Sequence, residues 1–142
     1  MPVPSLEQSS ERMRHLWDND TYPKLLYVET TNFCNARCSY CLYERMERPV
    51  EHMSMDRFKE LVHKIQKRSG LKIGAMFCFG EPLYDKQLFE KIRYARTHGV
   101  ITKHIGLNTN CTYLTEDKFD DILQTCQNIT LSFVIRQSCI ST

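Results

Sequence analysis

Cys34, Cys38 and Cys41 put three thiols within eight residues, at the spacing C-x3-C-x2-C. Thiolates this close bind soft metals, and the number three narrows which ones. A structural zinc site takes four protein ligands, usually as two separated pairs. The other cysteines (Cys78, Cys111, Cys126, Cys139) and the histidines are poorly spaced to supply a fourth. A cubane iron–sulfur cluster held by three cysteines leaves one iron without a protein ligand, and an open iron can bind a small molecule. On these residues alone zinc and iron–sulfur are both open, and iron–sulfur suits the count better.

The elements around the cysteines say how they are presented. Lys24 to Thr30 reads as a buried strand that runs into the cysteine loop. Ser54 is placed to cap a helix carrying Met55, Phe58, Leu61, Val62 and Ile65 at helical spacing, stopped by Gly70. Lys72 to Phe79 is a second apolar strand, followed by a helix over 86–98 that Gly99 ends. Thr102 to Asn108 is a third strand. Thr115 caps a third helix with Phe119, Ile122, Leu123 and Cys126 on one face, and Asn128 to Ile135 is a fourth strand.

Strand alternating with helix across short connections predicts right-handed βαβ units and a parallel sheet. Four strands and three helices do not close a barrel. The expected fold is therefore α/β, a partial, incomplete (β/α) TIM-like barrel. It has three expected parts: a polar leader over 1–22, with a helical turn or two between Leu6 and Trp17; a core over 23–134; and an irregular tail over 135–142. In such folds functional residues gather where strands end. That rule brings the three thiols, Gly80 and Glu81, Asn108 and Asn110, and Ser132 to one rim, a mixture suited to a metal cluster with a polar small-molecule cofactor.

Composition bounds the rest. A 142-residue chain with 42% hydrophobic and 25% charged residues is one ordinary globular domain by length. A net charge of +2 gives no electrostatic footprint for nucleic acid or a membrane surface. No apolar run is long enough to span a bilayer, and the polar first residues do not read as a secretory signal. Seven cysteines, an odd count, disfavour a closed disulfide framework and point to a reducing, cytoplasmic setting.

Cys34-x3-Cys38-x2-Cys41, with Tyr40 before the last cysteine and Gly80-Glu81-Pro82 one βα unit later, resembles the radical S-adenosylmethionine (radical SAM) family over roughly residues 24–134. The resemblance implies a [4Fe–4S] cluster on Cys34, Cys38 and Cys41, with S-adenosylmethionine chelating the fourth iron through its amino and carboxylate groups. It also implies an enzyme that uses an external electron donor to cleave this cofactor and abstract hydrogen from a substrate the sequence does not name. Glu81 would receive the cofactor's ammonium, aided by close approach at Gly80. Backbone near Tyr40 would meet the adenine, and Asn110 and Ser132 match positions near the ribose or the amino-acid end.

The chain departs from the family pattern in four places. Phe79 stands where relatives often have a glycine, and Cys111 where Thr-Asn is often followed by one. Cys111 lacks the left-handed freedom of glycine, so the turn there is expected to differ. Ser132 leads into Phe133-Val134-Ile135 instead of Asp-Gly. The family's partial barrel has six strands, two more than are read here.

Alternatives of a different class stand beside this reading. One is a truncated, non-catalytic iron–sulfur or interaction module that pairs through an open sheet edge. Another is a structural zinc domain. Cys78 and Cys126 are expected in the core, and Cys111 is expected to be structural. The five histidines are expected to face solvent or cap helices without forming a cluster. Lys64 to Arg68 reads as a solvated helix face.

Overall fold

The computed structural model describes residues 24–38, 40–68, 70–126 and 128–131, with Ser5, Glu7, Gln8 and Glu11 ahead of them. Most of the expected leader helix, Ser132 and the 135–142 tail lie outside the described residues. Within the leader, Ser5 and Gln8 exchange side-chain-to-backbone hydrogen bonds of 3.0 and 3.2 Å, a capping box at the start of a helical turn.

Four strands, β1 (Leu25–Tyr27), β2 (Lys72–Ala75), β3 (Ile101–Thr109) and β4 (Asn128–Leu131), form one sheet in chain order. Every neighbouring pair is parallel. Helices α1 (Met55–Gln66), α2 (Leu88–Thr97) and α3 (Glu116–Thr125) make the three crossovers. The architecture is an open, partial (β/α) barrel.

Local chemistry explains the helix boundaries. Ser54 accepts from the Arg57 N–H and Thr115 from the Lys118 N–H, so α1 and α3 begin on genuine side-chain caps. Gly70 and Gly99 follow α1 and α2 with φ of +76° and +66°, the left-handed turn that releases the chain toward the next strand.

The strands are less regular than their apolar runs. β2 leaves the ladder after Ala75, and the bend that follows turns Cys78 outward. Cys78 is exposed, against the expectation of a core position. Between β2 and β3, Ile73 faces Ile101 while Ala75 faces Gly106, so two steps on β2 match five on β3. The surplus is taken up near the exposed Lys103 and His104, where the Thr102 hydroxyl donates to the His104 carbonyl at 2.9 Å.

The core lies between the sheet and the helices. Phe58, Val62 and Ile65 of α1 and Leu88, Ile92 and Ala95 of α2 pack with Ile73, Met76, Ile105 and Leu107. Ile122 and Cys126 join it from α3 and its end, as expected for Cys126. Phe119 and Leu123, placed on the same apolar face in the sequence reading, are 49% and 65% exposed. Among the described residues no element covers that flank of α3.

An ion pair is buried beside this core. Lys91 of α2 is fully buried; its ammonium donates to Asp85 at 2.7 Å and to the Met53 carbonyl at 2.6 Å. The histidine expectation also needs amendment. His63 and His98 meet edge to face at 5.8 Å, and Tyr94 stacks on His98 at 4.0 Å. His98 does cap α2, and His104 does face solvent.

Candidate functional site

Three loops leave the same ends of β1, β2 and β3, and they interlock. The first is the cysteine loop. Its base is fixed by Asn32, which donates to the Pro49 carbonyl at 2.8 Å and accepts from the Glu51 N–H at 2.6 Å. Cys34 N–H donates to the Tyr43 hydroxyl at 3.1 Å. Arg37 holds the Cys34 and Ala36 carbonyls at 2.8 and 3.0 Å and lies 4.9 Å over the Tyr43 ring. Further on, the Cys41 N–H closes a turn onto the Cys38 carbonyl at 2.9 Å. Tyr40, between them, is 71% exposed.

The second loop carries Gly80 and Glu81. Glu81 is almost fully buried, and its carboxylate braces the site. Oε1 accepts from the Leu83 N–H at 3.1 Å and the Thr109 hydroxyl at 2.6 Å, and Oε2 accepts from the Asn110 N–H at 2.7 Å. Three bonds leave one lone-pair direction on a carboxylate's usual four, on Oε2. Pro82 opens the short 3₁₀ turn Pro82–Tyr84 that Glu81 caps.

Gly80 is required by its own chain. A Cβ there would stand 2.1 Å from the Thr31 carbonyl oxygen and 2.8 Å from the Asn32 Cα. The close approach is therefore between the second loop and the backbone beneath the cysteine loop. The Glu81 N–H donates to the Phe33 carbonyl at 2.7 Å across the same seam.

The third loop, after β3, supplies Asn110. Its side-chain nitrogen is 3.8 Å from the Cys34 sulfur and 3.0 Å from the Asn35 amide oxygen. Cys111 takes a left-handed φ of +64° despite its Cβ, so the turn expected to differ keeps the conformation a glycine would adopt. Phe79, the other departure, is not among the positive-φ residues and needs no glycine.

Several positioning residues escaped the sequence reading. Glu29 accepts from the Phe79 and Gly80 N–H groups at 2.8 and 3.3 Å and pairs with Arg48. Lys118 donates to the Leu83 and Tyr113 carbonyls at 2.7 and 3.0 Å. Tyr84 contacts Phe33, His52 and Tyr113 with ring centroids 3.9, 5.4 and 5.2 Å away. Apart from the Lys118–Tyr113 bond, five residues apart, the partners are remote in sequence.

Electrostatics at Cys34 disfavour a bare thiolate. Burial pushes the Cys34 thiol up from its ordinary pKa, and the Glu81 carboxylate and Cys41 push the same way, against Arg37 and a hydrogen bond from the Ala36 backbone. Cys111 is also raised, by burial and then by Glu81. A cationic occupant would reverse the penalty on Cys34. Cys34, Cys38 and Cys41 are half-buried. Among the described residues no three His, Cys, Asp or Glu side chains converge as a ready-made metal site. A nearby polar cleft of about 280 Å³ is lined by Glu29, Asn32, Arg48 and Glu51 and by none of the cysteines.

The model of the radical SAM superfamily matches residues 28–133, a stretch that contains all three loops. The chain belongs to the radical SAM superfamily. The cofactors of this family are a [4Fe–4S] cluster and S-adenosylmethionine, and half-exposed thiols beside a carboxylate suit both.

Among relatives, the tungsten-containing aldehyde ferredoxin oxidoreductase cofactor-modifying protein of Pyrococcus furiosus is 28% identical over 101 residues, 71% of this chain and 28% of that protein. A GTP 3',8-cyclase of Clostridium botulinum is 31% identical over 98 residues, 68% of this chain and 30% of that one. The matched region thus spans less than a third of either relative.

Among solved structures, BtrN in complex with AdoMet and 2-DOIA superposes with a TM-score of 0.71 at 20% identity, covering 84% of this chain and 49% of that one. Streptococcus suis SuiB bound to S-adenosylmethionine gives 0.60 at 13% identity, over 92% of this chain and 32% of that one. At these identities the likeness is one of fold. No helix among the described residues is long and apolar enough to cross a membrane.

Proposed function

We propose that this chain is the cluster- and cofactor-binding part of a radical SAM enzyme, with Cys34, Cys38 and Cys41 as the iron ligands. When bound and reduced by one electron, the cluster and S-adenosylmethionine supply a 5′-deoxyadenosyl radical able to abstract hydrogen from a substrate. The residues of this chain bind and orient. Cys34 is held in place by Tyr43, Arg37 and Asn110. Glu81 presents negative charge at the rim and keeps one acceptor direction for the cofactor's ammonium. The Gly80 backbone fixes the position of that carboxylate relative to the cysteine loop. Tyr40 offers an exposed ring and backbone for the adenine. Ser132 and the backbone of Asn110 complete the proposed cofactor contacts.

The observation that carries this reading is the direct seam between the cysteine loop and the Glu81 loop, closed by the Glu81 N–H to Phe33 carbonyl bond of 2.7 Å. The two relatives are named for different reactions, so the substrate class is not carried over from either. An electron donor is required by the chemistry, and a reducing, cytoplasmic location is proposed from the odd count of seven cysteines.

A second reading, a non-catalytic cluster module that pairs through the β1 edge, draws on the exposure of Leu25 and Tyr27. Chromatographic detection of 5′-deoxyadenosine after anaerobic reconstitution, reduction and addition of S-adenosylmethionine separates the two. Cofactor-dependent product supports the enzyme. A fully loaded cluster with no product leaves the module reading.

A further inference from the structure

Asn110 touches both halves of the site at once. Its backbone N–H donates to Glu81 Oε2 at 2.7 Å, while its side chain points into the cysteine loop. The orientation of that amide is decided by chemistry. The Thr112 N–H, 3.0 Å from Asn110 Oδ1, can only donate, so the atom facing it must be the carbonyl oxygen. The Thr112 hydroxyl joins the same oxygen at 2.6 Å.

The NH₂ end is thereby turned toward Cys34 and Asn35. It has two hydrogens and two acceptors: Asn35 Oδ1 at 3.0 Å and Cys34 Sγ at 3.8 Å. The Asn35 amide nitrogen in turn donates to the Thr112 hydroxyl at 2.9 Å, closing a three-residue clamp.

We propose that Asn110 is a positioning residue whose side-chain N–H donates to the Cys34 thiolate and raises the reduction potential of the cluster that Cys34 holds. The proposal rests on the radical SAM reading above. Its physical basis is general. A hydrogen bond to a ligating sulfur draws electron density from it and favours the more electron-rich reduced cluster. The clamp supplies a donor already aimed at the Cys34 sulfur, on the side of the site where Glu81 places a second negative charge. Because the same residue also ties the Glu81 carboxylate, the potential and the ammonium-binding group are linked through one turn of chain.

The test is the midpoint potential of the reconstituted chain, read by electron spin resonance during a redox titration without S-adenosylmethionine. Asn110→Ala should make reduction about threefold to tenfold less favourable, a shift of roughly 30–60 mV to more negative potential at 59 mV per tenfold for one electron. Asn110→Asp, which keeps the oxygen for Thr112 but loses the donor, should shift it the same way. Asn35→Ala leaves Asn110 in place and removes one restraint on its amide, so a smaller shift of the same sign is expected; it carries the test if the Asn110 variants do not fold.

Midpoints within about 5 mV of the parent chain in every folded variant would overturn the proposal while leaving the cluster assignment intact. A parent chain that takes up no [4Fe–4S] cluster would overturn both.

Discussion

The two sides of the rim are built on opposite principles. The Glu81 loop is held from every direction. Its carboxylate has three internal donors, its glycine packs on backbone, and Lys118 and the Lys91–Asp85 pair fasten the turn that follows. The cysteine loop is more open: Cys34 is anchored by Tyr43 and Asn110, its three thiols are half-buried, and a backbone turn joins Cys41 to Cys38 beside an exposed Tyr40. On the proposed reading, Glu81 is the preorganised group and metal binding would complete the thiolate set.

Substitutions can break this contrast, beginning with the largest effect. Cys34→Ala, Cys38→Ala or Cys41→Ala should each abolish cluster uptake while changing apoprotein stability by no more than about 1 kcal/mol, because the loop is outside the core. Iron analysis and chemical denaturation check the two halves of that statement. Lys91→Ala should do the reverse. It leaves Asp85 buried without its partner, at a cost of about 3–5 kcal/mol in denaturation midpoint analysis, with no change at any thiol.

Gly80→Ala comes next. The obstructing atom is a backbone carbonyl that cannot swing aside, so about 1–3 kcal/mol of stability should be lost, together with weaker S-adenosylmethionine binding by calorimetry on the loaded protein. Cys111→Gly should have the smallest effect and the opposite sign. Relief of the left-handed conformation should stabilise the chain by about 1 kcal/mol, read as a higher denaturation midpoint.

How much of this the sequence discloses depends on whether the cause is local. The helix starts were legible because Ser54 and Thr115 cap their own helices, and the order of strands and helices fixed which loops share a rim. The proposed site residues Cys34, Glu81 and Asn110 stand out in the sequence by type and position. Their connections do not. Lys91 lies six residues from Asp85 but 38 from the Met53 carbonyl it also reaches, and Glu29 lies 50 residues from the Phe79 N–H it receives. Cys78 is expected in the core because the apolar run 72–79 reads as one strand throughout, whereas the ladder stops at Ala75 and Cys78 is exposed. Phe119 and Leu123 obey helical spacing, but spacing does not say whether a neighbouring element arrives to cover them.

The most direct measurement is anaerobic reconstitution of the chain with iron and sulfide, followed by Mössbauer and electron spin resonance spectra with and without S-adenosylmethionine. The account predicts a [4Fe–4S] signal whose reduced spectrum changes when S-adenosylmethionine is added, reporting a cofactor at the iron the cysteines leave open. Substoichiometric iron with zinc retained in its place, or a cluster spectrum indifferent to S-adenosylmethionine, would contradict it.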